Sequence, residues 1–297
     1  MKEYNLIIVG GGAAGILCAI EANKQGIDNI LLIEKDPVLG GALNLGNYNI
    51  SRENTISGQE YKKSLMKCFD ECKVDVKLNT MVLKIEENNE VLCTSSECGI
   101  EKIKGKNIIL ANGGKEGSRE AISMVGDRCS GILTVGMAKK IFSIGNMIPG
   151  KNILIDGFET LYMIQEQLKD KNINVVGIIS ENNDVKTYGL TDKIYKNYKI
   201  ASIQGAGRVT SVTLEKDGKE EVIECDTLMF ARPMLSDGLV AMRSNIKLNP
   251  TTTGPEVDDE FMTSRENIYA CGNGIYIHKF IEDIEDECSK LIKGLNN

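Results

Sequence analysis

Residues 5–15 read NLIIVGGGAAG, a short apolar run followed by a glycine-rich segment. The apolar run is typical of a buried strand, and the residues after the glycines, as far as about Gln25, have a helical pattern. Gly10, Gly12 and Gly15 fit the spacing G-x-G-x-x-G. In that motif the first glycine permits a tight turn, the second lets backbone approach a pyrophosphate, and the third lets the helix pack closely on the strand. The segment therefore predicts a strand, a turn and a helix whose N-terminus binds a dinucleotide.

A second strand-type run, residues 29–33, leads directly into Glu34. Glu34 follows Gly15 by about 20 residues, the distance at which an acidic side chain is expected to bind the ribose hydroxyls of a dinucleotide. Residues 57–72 have helical spacing, and short strand patterns follow over residues 74–110. This succession of elements predicts an α/β fold.

The composition is that of an ordinary globular chain, with 42% hydrophobic and 26% charged residues among 297. Lys and Arg number 35 against 42 for Asp and Glu, so the net charge of −7 argues against a nucleic-acid partner. The apolar runs are far shorter than the roughly 18 residues of a membrane span, and we expect no signal peptide, because residues 1–4 lead directly into the first strand pattern. The nine cysteines are odd in number, and nothing directs the chain to an oxidising compartment, so we expect reduced thiols in a cytoplasmic protein.

Five motifs along the chain together resemble one family. They are residues 10–15, Glu34, Gly40-Gly41, Leu110-Ala111-Asn112-Gly113 and the sequence IYACGN at residues 268–273. In this order they resemble the FAD signature of the pyridine nucleotide-disulfide oxidoreductase superfamily, and the chain is similar in length to its short, thioredoxin reductase-like members. A narrower set resembles the FAD/NAD-binding subunits of opine oxidases, hydrogen cyanide synthase and glycerol-3-phosphate dehydrogenase-associated proteins: residues 126–128, 131–134, 149–151, 270–273 and His278.

The resemblance implies an α/β protein with two Rossmann-like three-layer domains and FAD as the cofactor. The FAD-binding domain would be discontinuous and comprise residues 1–114 and 244–297. It would be interrupted by an NAD(P)-binding-like domain at residues 115–243.

The same resemblance implies which residues would hold FAD. The loop at residues 10–15 would bind the pyrophosphate, Glu34 would bind the adenosine ribose, and Met81-Val82 would pass the adenine. Gly272-Asn273 would lie beside the ribityl chain, although the superfamily usually has Asp in place of this Asn, which keeps the hydrogen bonding without the charge. The expected cofactor-binding residues are Gly10, Gly12, Ala13, Ala14, Gly15, Glu34, Lys35, Gly40, Gly41, Met81, Val82, Ala111, Asn112, Gly113, Gly272 and Asn273.

A second strand-turn-helix pattern begins at residue 152, where family members carry their NAD(P)H-binding glycines. The three glycine positions here hold Asp156, Phe158 and Leu161. Phe158 would fill the space where backbone approaches the phosphates, and the carboxylates of Asp156 and Glu159 would repel a pyrophosphate. A later strand also runs into Arg232-Pro233 in place of the family's glycine-containing turn, and we interpret Arg232 as a solvated turn residue. We therefore expect weak or absent NAD(P)H binding, with a shifted loop as the alternative.

The cysteines do not form the pair that disulfide reductases of the superfamily use, because these 297 residues contain no C-x-x-C. The closest spacings are those of Cys68 with Cys72 and of Cys93 with Cys98. A four-thiolate metal site is one hypothesis. We favour packing or incidental placement, because Cys68 and Cys72 fall on the apolar stripe of a helix, and we assign no metal ligand.

Two further residues lie close to the expected flavin. Cys271 is expected to support the FAD scaffold, with redox participation as the alternative. His278, the only histidine, is expected at the start of the final helix, with a place near the isoalloxazine or a subunit contact as alternatives. No catalytic base or nucleophile is assigned.

These expectations favour an FAD-dependent oxidoreductase that transfers electrons within a heteromeric dehydrogenase or oxidase, of which it would be one subunit. The partner that the resemblance implies is a second flavoprotein dehydrogenase subunit, with an iron–sulfur protein as a further candidate, and a homo-oligomer is left open. Two alternatives also stay open. One is an NAD(P)H-dependent FAD oxidoreductase with an altered nucleotide loop, and the other is a non-catalytic FAD-binding assembly subunit.

Overall fold

The chain folds as two units in the computed structural model, which describes residues 2–117, 125–143 and 147–295. The first unit comprises Met1–Lys115 and Leu235–Asn297, and the second comprises Glu116–Met234. Each unit has its own sheet with parallel strands and its own apolar clusters.

The described residues form seventeen strands. In chain order they are β1 (Glu3–Val9), β2 (Ile30–Ile33), β3 (Val74–Lys77), β4 (Thr80–Ile85), β5 (Glu90–Ser95), β6 (Gly99–Leu110), β7 (Gly114–Lys115), β8 (Ile132–Thr134), β9 (Asn152–Asp156), β10 (Asn174–Ser180), β11 (Ile194–Lys196), β12 (Lys199–Gln204), β13 (Ser211–Lys216), β14 (Lys219–Glu224), β15 (Thr227–Phe230), β16 (Leu235–Ser236) and β17 (Ile268–Ala270).

The helices are fewer than the strands. The α-helices are α1 (Ala13–Lys24), α2 (Gly58–Asp70), α3 (Val135–Ser143), α4 (Gln165–Asp170), α5 (Leu239–Arg243) and α6 (Ile281–Leu295). Short 3-10 helices cover Gly41–Leu45, Leu161–Met163 and Gly272–Gly274. None of the helices within the described ranges combines the length and the apolar character that crossing a membrane requires.

The sheet of the first unit is mixed. Its parallel part has the order β3-β2-β1-β6-β17, so the long strand β6 lies between β1 and β17. The N-terminal half of β6 pairs antiparallel with β5, which pairs antiparallel with β4. β7 and β16 form a separate antiparallel pair.

Alternate residues of β1 are buried in two different apolar clusters, because successive side chains of a strand point to opposite faces. Leu6 and Ile8 pack with residues of α1, α2 and α6. Ile7 and Val9 pack with residues of α5 and of the antiparallel strands β4 to β6. The parallel sheet is therefore the middle of three layers.

The second unit repeats this plan with five parallel strands in the order β11-β10-β9-β15-β8. Ile153 and Ile155 of β9 pack with residues of α3 and α4, whereas Leu154 packs with the antiparallel strands β12 to β14. The β13–β14 turn is tight, since Asp217 and Gly218 both have positive φ, at 53° and 74°. The predicted α/β class with two Rossmann-like three-layer domains is confirmed.

Residues 235–243, which the sequence analysis placed in the interrupting domain, lie in the first unit. The reason is apolar burial. Val240 and Ala241 of α5 share a buried cluster with Val82 and Ile85 of β4.

The helix boundaries follow local sequence signals. α2 begins with a capping box, in which Ser57 Oγ accepts the N–H of Glu60 at 3.2 Å and Glu60 Oε2 accepts the N–H of Ser57 at 2.9 Å. The final helix, α6, begins at Ile281, three residues after His278.

Candidate functional site

The glycine loop between β1 and α1 needs two of its glycines for its own conformation. Gly10 has φ +109°, and a Cβ there would overlap the carbonyl oxygen of Ala111. A Cβ at Gly15 would overlap the carbonyl oxygen of Gly10. These two positions therefore give the tight turn and the close packing of helix on strand that the motif predicts.

Gly12 differs from its neighbours, because a Cβ there would meet no protein atom within 4 Å. Gly12 is the N-cap of α1, and no side chain caps this helix end and no acidic residue lies in its first turn. The first N–H groups of an α-helix have no intrahelical partner and carry the positive end of the helix dipole. The open space at Gly12 and the uncapped helix end suit an anionic group such as a pyrophosphate.

Glu34 lies against this loop. It follows β2, is 6% exposed, and its Oε2 accepts the N–H of Gly11 at 2.6 Å while its Oε1 accepts the N–H of Asp36 at 2.8 Å. A carboxylate offers about four lone-pair sites, so two backbone bonds leave acceptor capacity for ribose hydroxyls. The neighbouring Lys35 is exposed.

Gly40 and Gly41 bring the 3-10 helix that follows β2 close to the same loop. The N–H of Gly40 donates to the carbonyl oxygen of Gly11 at 2.8 Å. Both glycines have positive φ, at 116° and 49°, and a Cβ at Gly41 would lie 3.1 Å from the Cα of Gly12. Larger residues would therefore strain the backbone here and crowd the glycine loop.

The late motif packs on the first turn of α1. A Cβ at Gly272 would lie 2.7 Å from the Cβ of Ala14. Because β17 runs parallel to β6, residues 111–113 and 271–273 leave the sheet side by side. A Cβ at Gly274 would accordingly lie 3.5 Å from the N of Asn112.

The predicted residues thus converge at one edge of the first unit. The segments at residues 10–15, 34–41, 111–113 and 272–273 follow the carboxyl ends of β1, β2, β6 and β17. This edge is where open α/β sheets bind their ligands.

Met81 and Val82 enter from β4, whose first residue donates its N–H to the carbonyl oxygen of Glu34 at 2.9 Å. Met81 is 49% exposed, whereas Val82 is buried in the core. Of the two side chains, that of Met81 is therefore the one available to a ligand.

Glu287 of α6 holds the Gly272-Asn273 segment in place. The sequence analysis did not predict this role of Glu287. Its Oε2 accepts the N–H of Gly272 at 2.8 Å, and its Oε1 lies 2.8 Å from Nε2 of His278. The N–H of His278 in turn donates to Oδ1 of Asn273 at 2.9 Å. The contact with Glu287 raises the pKa of His278 above its ordinary value. His278 therefore has a structural partner on α6.

In the second unit, carboxylates lie at the turn that follows β9, where the glycine loop lies in the first unit. Asp156 is 6% exposed, and its Oδ2 accepts from Nε of Arg232 at 2.7 Å and lies 2.6 Å from Nη2. Burial raises the pKa of Asp156, and the nearby guanidinium opposes that shift. Glu159 Oε2 accepts the N–H of Phe158 at 3.0 Å. Arg232 is exposed, as expected of a turn residue, and it also forms this ion pair.

The helix expected after that turn is broken. Leu161–Met163 forms a 3-10 helix, and α4 starts only at Gln165 and covers six residues. The short helix therefore does not begin at the turn, in contrast to α1.

The cysteines group differently from the sequence interpretation. Cys68 and Cys98 are exposed, which fits incidental placement of Cys68 and not packing. The thiols that come together within the described ranges are those of Cys18, Cys271 and Cys288, all buried. No local spacing could have signalled this group, because Cys18 and Cys271 are 253 residues apart.

Comparisons with known proteins show what this chain is similar to. Residues 5–107 match the family model "FAD dependent oxidoreductase". The chain is 23% identical to the mitochondrial dihydrolipoyl dehydrogenase of Caenorhabditis elegans, over 99% of this chain and 68% of that protein. It is 27% identical to hydrogen cyanide synthase subunit HcnB of Pseudomonas protegens, over 59% of this chain and 38% of that protein. It is 20% identical to one subunit of the opine oxidase of Rhizobium meliloti, over 91% of this chain and 58% of that protein.

Among solved structures, the thioredoxin reductase of T. acidophilum superposes with a TM-score of 0.79 at 19% identity, over 99% of this chain and 98% of that one. The chain therefore has a thioredoxin reductase-like fold. Together the findings confirm the predicted resemblance to the pyridine nucleotide-disulfide oxidoreductase superfamily, with oxidoreductase as the class of activity and FAD as the cofactor.

A valine at position 12 tests the role of the open space at Gly12. The Cβ of Gly12→Val would enter that space without a protein atom within 4 Å. We expect the variant to fold, with a loss of about 1 kcal/mol in the free energy of unfolding from the poorer N-cap. It should no longer retain FAD. Flavin absorbance per chain after gel filtration and denaturant unfolding of the flavin-free protein measure the two effects.

Gly294→Val is the matched control, since a Cβ at this exposed α6 position also meets no protein atom within 4 Å. It should keep the wild-type flavin content. Full flavin retention by Gly12→Val would contradict the assignment.

The single histidine allows a direct test of the Glu287 contact by NMR. Because Glu287 raises the pKa of His278, the pair stabilises the fold while the imidazole is protonated. We expect Glu287→Gln to lower the pKa of His278. Glu285→Gln is the control and should leave that pKa unchanged, because the carboxylate of Glu285 contacts Tyr61 instead.

The sign of the pH dependence follows from the direction of the shift. The stability difference between wild type and Glu287→Gln should be largest below the ordinary histidine value of 6.5. It should shrink as the pH rises through the folded-state pKa of His278. An unchanged histidine titration in Glu287→Gln would show that the two groups do not interact.

Proposed function

We propose that this FAD-dependent oxidoreductase is an electron-transfer subunit of a heteromeric dehydrogenase or oxidase and that its second unit does not use NAD(P)H. FAD supplies the redox chemistry when it is bound. The chain's own part is to hold that cofactor at the carboxyl edge of the first sheet, with Gly12 and the N-terminus of α1 toward the pyrophosphate and Glu34 toward the adenosine ribose.

The proposal rests on two carboxylates, those of Asp156 and Glu159, at the turn that follows β9 in the second unit. A dinucleotide pyrophosphate is anionic and needs free N–H donors or cations at this position. The N–H of Phe158 already donates to Glu159, and the guanidinium of Arg232 is paired with Asp156. A pyrophosphate could bind here only if it displaced both carboxylates. Otherwise the two carboxylates would repel it at short range.

A C-x-x-C pair, the second electron route of the superfamily, is also missing from these 297 residues. If the second unit does not use NAD(P)H, electrons have to reach or leave the flavin through another molecule. Two relatives, hydrogen cyanide synthase subunit HcnB and the opine oxidase protein of Rhizobium meliloti, are by name subunits of larger enzymes. They support a protein partner.

The partner we propose is a second flavoprotein subunit that oxidises a small hydroxy- or amino-acid-like substrate, with an iron–sulfur protein as a further electron carrier. The surplus of acidic residues and the net charge of −7 favour a protein or small-molecule partner over a nucleic acid.

An NAD(P)H-dependent oxidoreductase with an altered loop is the second candidate. It is favoured by the likeness to dihydrolipoyl dehydrogenase across 99% of the chain. Gly157 with φ +83° also keeps a tight turn after β9. The two candidates differ in whether NADH or NADPH bleaches the flavin.

Nucleotide binding separates the candidates directly. Because the carboxylates of Asp156 and Glu159 oppose a pyrophosphate, we expect no micromolar site for NADH or NADPH by titration calorimetry of the FAD-loaded protein. We also expect no flavin bleaching under anaerobic conditions. A thioredoxin reductase assayed in parallel is the positive control. A micromolar dissociation constant that depends on residues 156–161 would establish the second candidate.

Partnership is tested by anaerobic flavin reduction with candidate hydroxy acids and amino acids. The chain alone should not be reduced. The chain co-purified with proteins expressed from its own operon should be reduced, because the substrate would be oxidised on the partner. Efficient turnover of a substrate by the isolated chain would overturn the proposal.

A further inference from the structure

Three cysteine thiols meet in the core of the first unit. Cys18 lies on α1, Cys271 follows β17, and Cys288 lies on α6. Their side chains are 0%, 0% and 2% exposed, and all three Sγ atoms lie within 4.8 Å of one another. The Sγ atoms of Cys18 and Cys271 are 3.6 Å apart, so they are in contact but not bonded as a disulfide.

The spacing of the sulfurs matches that of ligands around one metal ion. Thiolates bind Zn²⁺ at about 2.3 Å, which places three sulfurs around a common ion roughly 4 Å from one another. The observed separations, from 3.6 Å to within 4.8 Å, bracket that value.

The surroundings are suited to a thiolate–cation pair. The three cysteines belong to the apolar cluster formed by α1, α2 and α6, where a thiolate without a partner would be costly. A bound cation would favour deprotonation of the thiols that bind it.

We propose that Cys18, Cys271 and Cys288 together bind one thiophilic d¹⁰ cation, Zn²⁺ or Cu⁺. Thiolate sulfur selects these ions over hard cations such as Mg²⁺ and Ca²⁺. Binding forms three metal–sulfur bonds and releases the thiol protons, with no change of oxidation state. The ion would be enclosed as the chain folds, because the sulfurs are not accessible in the folded unit.

The two ions differ in coordination. Zn²⁺ is almost always four-coordinate, so it would need a fourth ligand, whereas Cu⁺ is stable with three thiolates. Among the described residues, the group of possible ligands consists of the three cysteines alone. The three-sulfur set thus matches the coordination number of Cu⁺, whereas Zn²⁺ would leave less net negative charge among the apolar side chains. The experiment distinguishes the two ions.

Metal content is the first measurement. The untagged full chain is purified without oxygen from cells supplied with either ion, dialysed against a chelator, and assayed by elemental analysis. We expect about one Zn²⁺ or Cu⁺ per chain, with at least a tenfold loss in Cys18→Ser, Cys271→Ser and Cys288→Ser. Cys93→Ser is the matched control, because Cys93 is equally buried in the same unit but outside the group.

X-ray absorption on the wild-type protein keeps the proposal testable if the variants fail to fold. Three sulfur neighbours at about 2.3 Å from the metal would support the proposal. Metal-free protein, metal retained by all three variants, or a metal bound only through nitrogen or oxygen would overturn it. A disulfide between any two of the three cysteines in the anaerobic protein would also overturn it.

Discussion

The parallel pairing of β6 with β1 on one side and with β17 on the other is the constraint on which the candidate site depends. The register places Leu110 opposite both Val9 and Ala270. The three chain segments consequently leave the sheet at the same level, and the turns that begin at Gly10, Ala111 and Cys271 meet there. A slip of one residue in either pairing would move the apolar side chains of that strand to the wrong face of the sheet. Core burial and site assembly therefore depend on the same register.

The two units share a plan of parallel strands with helices on one face and antiparallel strands on the other. The turn after β1 and the turn after β9 nevertheless differ in the charged groups that they contain. In the first unit the helix begins at an uncapped glycine with no acidic residue in its first turn. In the second unit a buried Asp156 occupies the turn with Arg232, and Glu159 binds a backbone N–H. These residues still serve the sheet and the core, because Asp156 is the last residue of β9 and pairs with β10 and β15, and Leu161 is buried in the core of the second unit. A shared fold thus does not imply a shared ligand.

The sequence predicted the parts of the structure that arise from neighbouring residues. The roles of Gly10 and Gly15, the capping box of α2 and the hairpin turn at Asp217-Gly218 all follow from local signals. Contacts across the chain were not predictable, such as that between Cys288 and Ala14, whose positions are 274 residues apart. The apolar stripe was misleading at Cys68, which is exposed. Helical spacing alone did not show which flank of α2 faces the core.

The last helix, α6, links the candidate cofactor site to the core of the first unit. Glu287 accepts the N–H of Gly272, and the next residue, Cys288, donates its S–H to the carbonyl oxygen of Ala14 at 3.5 Å. Neighbouring helical residues point about 100° apart, so α6 contacts both the Gly272 segment and the first turn of α1. A ligand held between these two elements binds only the state in which α6 is docked. By linkage, cofactor binding and docking of α6 must therefore stabilise each other by the same free energy. Substitutions on α6 that never touch a cofactor can thus change its affinity through the docking equilibrium.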